Sequence, residues 1–187
     1  MLRMSYYWRY LLWLLAVVGL VIIVIILLLP GSHKGLTGTG FISYSSTDAT
    51  ASMIIDGTEG ANSLHQAVRV DVNQNEVVYK QLSTYNYNVV KEQTFTNNQT
   101  AYNVFLRSLY FAGFLKGNTD PSQTNPAGIC PLGDRYIFNF VSGSQTIIHS
   151  WATTCSNKIY GGNSDLTVKL FENQVPNFDN LIGNFNL

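Results

Sequence analysis

An unbroken apolar run near the N-terminus constrains this chain more than any other feature. The run extends from Leu11 to Leu29 and contains no charged or amide side chain. As a helix with a rise of about 1.5 Å per residue, it spans about 28 Å, close to the ~30 Å hydrocarbon core of a bilayer. The run therefore predicts a transmembrane helix over residues 11–29.

A cleaved signal peptide is the alternative interpretation of this segment. Signal peptides carry a shorter apolar region, about 7–15 residues, which ends in small residues of the A-x-A kind. Here the run ends in LLLPGSHKG, which lacks that pattern. We expect an uncleaved signal anchor, with its helix ended by Pro30 and Gly31.

Positive charges on the two sides of the predicted span indicate its direction. Two arginines within the first ten residues precede the span, whereas Lys34 is the first base that follows it. Because basic residues are enriched on the cytoplasmic side, we expect residues 1–10 to be cytoplasmic. The predicted protein is single-pass at the cell membrane, with a linker over residues 30–39 and an extracytoplasmic domain over residues 40–187.

Composition narrows the function of the exported part. The chain has 12% charged residues, which is about half the fraction typical of globular proteins. A fraction that low excludes a disordered, highly solvated chain. Residues 35–187 contain eight basic and eleven acidic side chains. The domain therefore offers no basic surface for nucleic acid.

Along the domain, the hydropathy pattern alternates between the two-residue period of strands and the 3.6-residue period of helices. In residues 67–72, valines alternate with charged side chains, as in a half-buried strand. The predicted strands are 40–45, 52–56, 67–72, 77–82, 85–95, 135–140 and 146–155; the predicted helices run from Asn97 or Asn98 to Gly117 and from Ser164 to Pro176. This order predicts an α+β fold, in which an antiparallel sheet with two helices packed on one face follows the transmembrane helix.

The two cysteines provide the strongest local inference. Cys130 and Cys155 lie in a predicted exported domain, an oxidising environment in which thiols pair. A hairpin turn centred on Gly143 brings both cysteines opposite each other at the open end of the hairpin. The sequence therefore predicts a cross-strand disulfide. Two cysteines alone are too few ligands for a structural zinc site, and we expect no metal and no other cofactor.

The same register assigns the side chains of this hairpin to two faces. The face that carries most of its aromatic residues is the predicted core. The opposite face places Arg135 across from Trp151, with His149 on the same side. Arginine and tryptophan are favoured anchors of binding interfaces. Arg135, His149 and Trp151 are therefore a predicted binding surface, with an ordinary structural cross-strand pair as the alternative.

The strand end Trp151–Cys155, with the sequence WATTC, resembles the T-L-x-T-C strand end of sortases. That resemblance implies a nucleophile at Cys155, assisted by an upstream histidine and a downstream arginine. In this chain no arginine follows Arg135, and neither His65 nor His149 has the sortase spacing. We therefore predict no enzymatic activity and no catalytic residue, with a sortase-like cysteine transpeptidase as the alternative.

Three further patterns lie in the C-terminal part of the chain. They are G-x-C-P-x-G-x-R-Y over residues 128–136, W-x-T-x-C over residues 151–155 and L-F-x-x-Q-x-P over residues 170–176. In these patterns the chain resembles uncharacterised single-span exported proteins of reduced-genome bacteria. The resemblance implies no known activity and supplies no catalytic residue.

Together these features predict a non-enzymatic binding or structural module of the cell envelope, held by one N-terminal helix. Besides the membrane, we expect its partner to be another envelope protein or a surface polymer. An inhibitor of an extracellular protease is a further alternative.

A protease added to intact cells tests the predicted topology. We expect it to degrade the domain that begins at residue 40 and to leave a membrane-bound fragment that contains the anchor. Immunoblots with antibodies against each end of the chain measure this directly. The topology would be contradicted by a protected domain, or by one released into the medium with a new N-terminus near Gly31.

Overall fold

The computed structural model describes residues 10, 13–19, 37–117, 125–155, 159–183 and 185. The chain divides into two units, Met1–Gly35 and Leu36–Leu187. In the first unit, residues 13–19 are helical. No helix within the described residues is long and apolar enough to cross a membrane. The predicted span over residues 11–29 lies largely outside the described residues.

The described part of the second unit contains a six-stranded sheet and four α-helices, which is the α+β class that the sequence predicts. The strands are β1 (Thr50–Asp56), β2 (Gln66–Val72), β3 (Glu76–Ser83), β4 (Asn88–Thr96), β5 (Arg135–Ser142) and β6 (Gln145–Thr153). The helices are α1 (Gly38–Ser43), α2 (Gln99–Ala112), α3 (Ser164–Glu172) and α4 (Phe178–Ile182).

Every neighbouring pair of strands is antiparallel, in the order β4-β3-β2-β1-β5-β6. A nine-residue loop joins β1 to β2, short turns join β2 to β3 and β3 to β4, and α2 then follows β4. The chain returns to pair β5 with β1 on the other side of these four strands. This return places residues near Asp56 beside residues near Arg135, although they are far apart in sequence.

The two faces of the sheet bury different sets of side chains. One face packs against the helices and forms the main core, in which Phe171 of α3 lies 5.1 Å from Phe105 of α2 between ring centroids. The other face carries a smaller apolar cluster to which no α-helix contributes: Ile54, Ala67, Leu82, Ile137 and Trp151. We call this second surface the open face. The main core contains residues from four helices of the described chain, whereas the sequence predicts two helices on one face.

Helix α2 begins where the sequence predicts and ends earlier. The side chain of Asn98 accepts a hydrogen bond from the Ala101 amide at 3.0 Å, which caps a free N–H of the first turn. The helix ends at Ala112 because Gly113 has a φ of 85°, a left-handed conformation that suits glycine. The predicted end at Gly117 is therefore wrong.

The segment that precedes β1 is helical, so the predicted strand over residues 40–45 is wrong. The hydroxyl of Thr37 accepts a hydrogen bond from the Gly40 amide and caps α1. Phe41 then packs edge-on against Phe140, with ring centroids 4.8 Å apart, and is fully buried. Tertiary burial of Phe41 decides the conformation here, because the β-prone composition of the segment is a weak preference.

Candidate functional site

Strand ends on one side of the sheet bring several polar side chains together. Asp56 ends β1, Arg135 begins β5, and the two residues face each other in the antiparallel register. On the other side of β1, Ala67 of β2 lies opposite Asp56. This pairing brings the preceding loop, which contains His65, to the same place. Because side chains alternate along a strand, Asp56 and Arg135 share the open face with Ile54 and Ile137.

The guanidinium of Arg135 is buried among acceptors. Its Nε donates to Oδ2 of Asp56 at 3.0 Å, and Nη2 lies 2.7 Å from the same oxygen. Nη2 also donates to the Gly57 carbonyl at 2.8 Å, and Nη1 donates to the Glu59 carboxylate. Arg135 is 1% exposed and Asp56 is 5% exposed. Buried charges are tolerated when they are paired and hydrogen-bonded, and this arrangement provides both.

The second oxygen of Asp56 is also occupied. The His65 ring Nε2 lies 2.8 Å from Oδ1 of Asp56, and Nδ1 lies 3.4 Å from the Thr58 carbonyl. The Tyr87 hydroxyl donates to the same Oδ1 at 3.3 Å. Burial, together with the negative charge of Asp56, raises the pKa of Tyr87 to about 12. The hydroxyl therefore stays protonated at neutral pH and continues to donate.

Tyr85 joins Tyr87 in forming the wall around this network. The Tyr85 ring stacks on His65 with a centroid separation of 3.9 Å. Its hydroxyl donates to the Gly60 carbonyl and accepts from the Gly60 amide, at 3.2 and 3.0 Å. These bonds fix the loop between β1 and β2 against the turn between β3 and β4. The ring of Tyr85 is partly exposed, so it remains accessible from solvent.

A loop held by the disulfide lies over the network. The Gly128 amide donates to Oε1 of Glu59 at 2.7 Å, and the Glu59 amide donates to the Pro131 carbonyl at 2.7 Å. The loop is joined to the end of β6 by the disulfide between Cys130 and Cys155, whose Cα atoms are 5.7 Å apart. The predicted pairing of the two cysteines is therefore confirmed, but the bridge is not a cross-strand one, because Cys130 precedes β5 and Cys155 follows β6. Its structural consequence is that the covering loop is covalently fixed to the sheet.

A cavity of about 220 Å³ opens between this loop and the open face. Its walls combine charged, aromatic and apolar groups: Asp56, Glu59, Tyr85, Tyr87, residues 125–127, Arg135 and Ile137. His65 does not line the cavity and instead supports Asp56 and Tyr85 from behind. The arrangement is a recess with a charged floor and a partly exposed tyrosine ring, suited to holding a ligand by ring contacts and hydrogen bonds.

The structure separates the three residues of the predicted binding surface. Arg135 lies opposite Thr153, whereas Trp151 lies opposite Ile137, so the predicted pair of Arg135 with Trp151 is wrong. The turn holds two residues, Gly143 and Ser144, and a register shift follows Phe140. Together these move the pairing by two positions.

All three residues remain on the open face, with different surroundings. Arg135 lines the cavity. Trp151 is buried in the apolar cluster of that face. The Nδ1 of the half-buried His149 lies within hydrogen-bond distance of the Asn139 side chain. A single exposed surface formed by the three residues is therefore absent from the described structure, and Arg135 alone among them lines the recess.

The sequence analysis missed the residues that surround Arg135, namely Asp56, Glu59, Tyr85 and Tyr87, and assigned His65 no role. The signal that was available is a carboxylate that directly follows the buried apolar run of β1. Its partner lies 79 residues further along the chain. Strand order is needed to recognise such a pair, and local patterns do not contain it.

The described residues provide neither a metal-binding cluster nor a free cysteine for thiol catalysis. Within the described residues, no group of three or more His, Cys, Asp or Glu side chains is arranged to hold a metal ion. Both cysteines of the chain are in the disulfide, so neither is a thiolate in this state. No protein-family model matches the chain, and no curated protein matches it either.

Removing the disulfide tests its role in holding the loop over the cavity. Replacing both cysteines, Cys130→Ala with Cys155→Ala, is expected to lower the free energy of unfolding by about 2–5 kcal/mol, measured by urea unfolding. Cys155→Ala alone is expected to leave one reactive thiol at Cys130. This role would be contradicted by an unchanged free energy of unfolding. Free thiols in the wild-type protein, denatured without a reducing agent, would contradict it as well.

Proposed function

We propose that this protein is a membrane-anchored extracytoplasmic binding module whose ligand enters the cavity beside Arg135. The observation that carries the proposal is the recess itself, in which a buried ion network forms the floor and tyrosines form the wall. The proposed anchor is the apolar run over residues 11–29. The proposed location is the outer side of the cell membrane.

Binding agrees better with this site than catalysis does, because the charged groups are already committed. Oδ1 of Asp56 has two partners and Oδ2 is paired with Arg135, so the carboxylate has little capacity left to act as a base. The sortase-like alternative needs a thiolate at Cys155, and that sulfur is bonded to Cys130. A fixed network of this kind instead forms a preorganised floor that needs no further ordering when a ligand binds.

The size of the recess favours a surface polymer over an envelope protein as the ligand. Stable protein–protein interfaces bury roughly 800 Å² on each partner, whereas this cavity of about 220 Å³ admits one small group. Sugar hydroxyls can donate to the partly exposed Glu59 carboxylate, and the apolar face of a sugar ring can contact the partly exposed ring of Tyr85. We therefore propose that the recess holds a single sugar-like unit of an extracellular polymer.

Blocking the mouth of the recess tests the proposal. Ala127 is exposed and lines the cavity, so Ala127→Phe fills the opening without disturbing the core. Ala101→Phe is the matched control, because Ala101 is also an exposed alanine and does not line the cavity. The probes are methyl glucoside and N-acetylglucosamine, observed by saturation-transfer difference NMR.

We expect sugar signals with the wild-type protein and with Ala101→Phe, and their loss with Ala127→Phe. Equal signals from both variants would show binding elsewhere on the protein. Absence of any signal from the wild-type protein with both sugars would contradict the proposed ligand class.

A further inference from the structure

Helix α2 carries a stripe of exposed side chains on the side that faces away from the core. Val104, Arg107 and Phe111 recur at three- and four-residue spacing and therefore lie on one helical face. Val104 is 60% exposed and Phe111 is 77% exposed. We call these three residues the α2 outer stripe. The helix thus has apolar side chains on both sides, although its buried side alone is needed for packing.

The α2 outer stripe adjoins the point at which the chain enters the domain. A groove of about 500 Å³ is lined by residues 37–39 and Ile42 from the entering segment and by Arg107, Tyr110 and Phe111 from α2. A Cβ atom added at Gly38 would lie 2.5 Å from the Tyr110 ring, so the entering backbone packs directly on that ring. The position of Thr37 therefore determines the approximate position of Phe111.

The length of the preceding linker limits the distance between Thr37 and the end of the predicted span. Seven residues, 30–36, separate the end of the predicted span from Thr37. At full extension they reach about 25 Å. If the span over residues 11–29 crosses the bilayer, Thr37 stays within that distance of the lipid surface, and Arg107 and Phe111 line the same groove as Thr37.

The chemistry of the stripe fits a lipid interface. Helix α2 contains no acidic residue, and among the described residues Arg107 is the one charged side chain that lines the groove. Arginine extends its charged group toward lipid headgroups while its stem stays in apolar surroundings. Aromatic side chains such as Tyr110 and Phe111 are suited to the same depth. The acidic balance of the domain provides no long-range attraction, so contact here depends on the tether and on apolar burial.

We propose that the α2 outer stripe rests on the outer lipid surface of the membrane, with Phe111 inserted at headgroup level. This proposal rests on the anchor in the proposed function, and it is independent of the cavity and its ligand. The contact fixes the domain against the bilayer. It leaves the open face, which lies on the opposite side of the sheet from α2, accessible to extracellular polymer.

Single nitroxide labels on the full chain test this contact. The native cysteines are both in the disulfide, so Phe111→Cys provides one labelling site. Leu64→Cys is the matched control, since Leu64 has the same 77% exposure and precedes β2, away from α2. Val18→Cys, within the predicted span, reports on the anchor. The protein is reconstituted in phosphatidylcholine vesicles, and collisions with dissolved oxygen and with a water-soluble nickel complex are compared by electron paramagnetic resonance.

We expect the label at residue 111 to favour oxygen over the nickel complex, and the label at residue 64 to favour the nickel complex. If residue 18 reports hydrocarbon while residues 111 and 64 both report water, the surface contact is overturned and the anchor stands. If residue 18 also reports water, the anchor and the contact are both overturned. An immobilised label at residue 111 that neither reagent reaches would overturn the lipid contact in favour of a protein neighbour.

Discussion

Burying a carboxylate and a guanidinium costs several kcal/mol for each ion unless their attraction and their hydrogen bonds offset it. The protein meets this condition at Asp56 and Arg135 by pairing β1 directly with β5. Three further polar side chains are bonded to that pair. His65 and Tyr87 take the remaining carboxylate oxygen, and Glu59 takes the remaining guanidinium nitrogen.

The division of the sheet into two faces explains how such a network is tolerated. Apolar burial is concentrated on the helix face, where Phe171 of α3 packs against Phe105 of α2 and Phe138 of β5. Burial of each phenylalanine contributes about 1.5–3 kcal/mol. The open face carries the charged pair, and the disulfide fixes the loop that contains Gly128 and Cys130 and lies over this pair.

Local sequence patterns correctly predicted those features that depend on residues close to each other in the chain. The cap at Asn98 and the valine alternation of β2 follow from residues close in sequence, and Cys130 pairs with the one other cysteine of the chain. The recess depends on the contact between β1 and β5, which only the completed sheet reveals. The two-position error in the β5–β6 pairing arose because neither a two-residue turn nor a bulge after Phe140 is encoded by hydropathy.

A double-mutant cycle on Asp56 and Arg135 tests the central claim that this pair organises the recess. The free energy of unfolding is measured by urea for Asp56→Asn, Arg135→Met and the double variant. The exposed pair of Lys169 and Glu172 serves as the control cycle. We predict a coupling energy of about 2–3 kcal/mol for the buried pair and below about 0.5 kcal/mol for the exposed pair. Equal coupling energies in the two cycles would contradict the account.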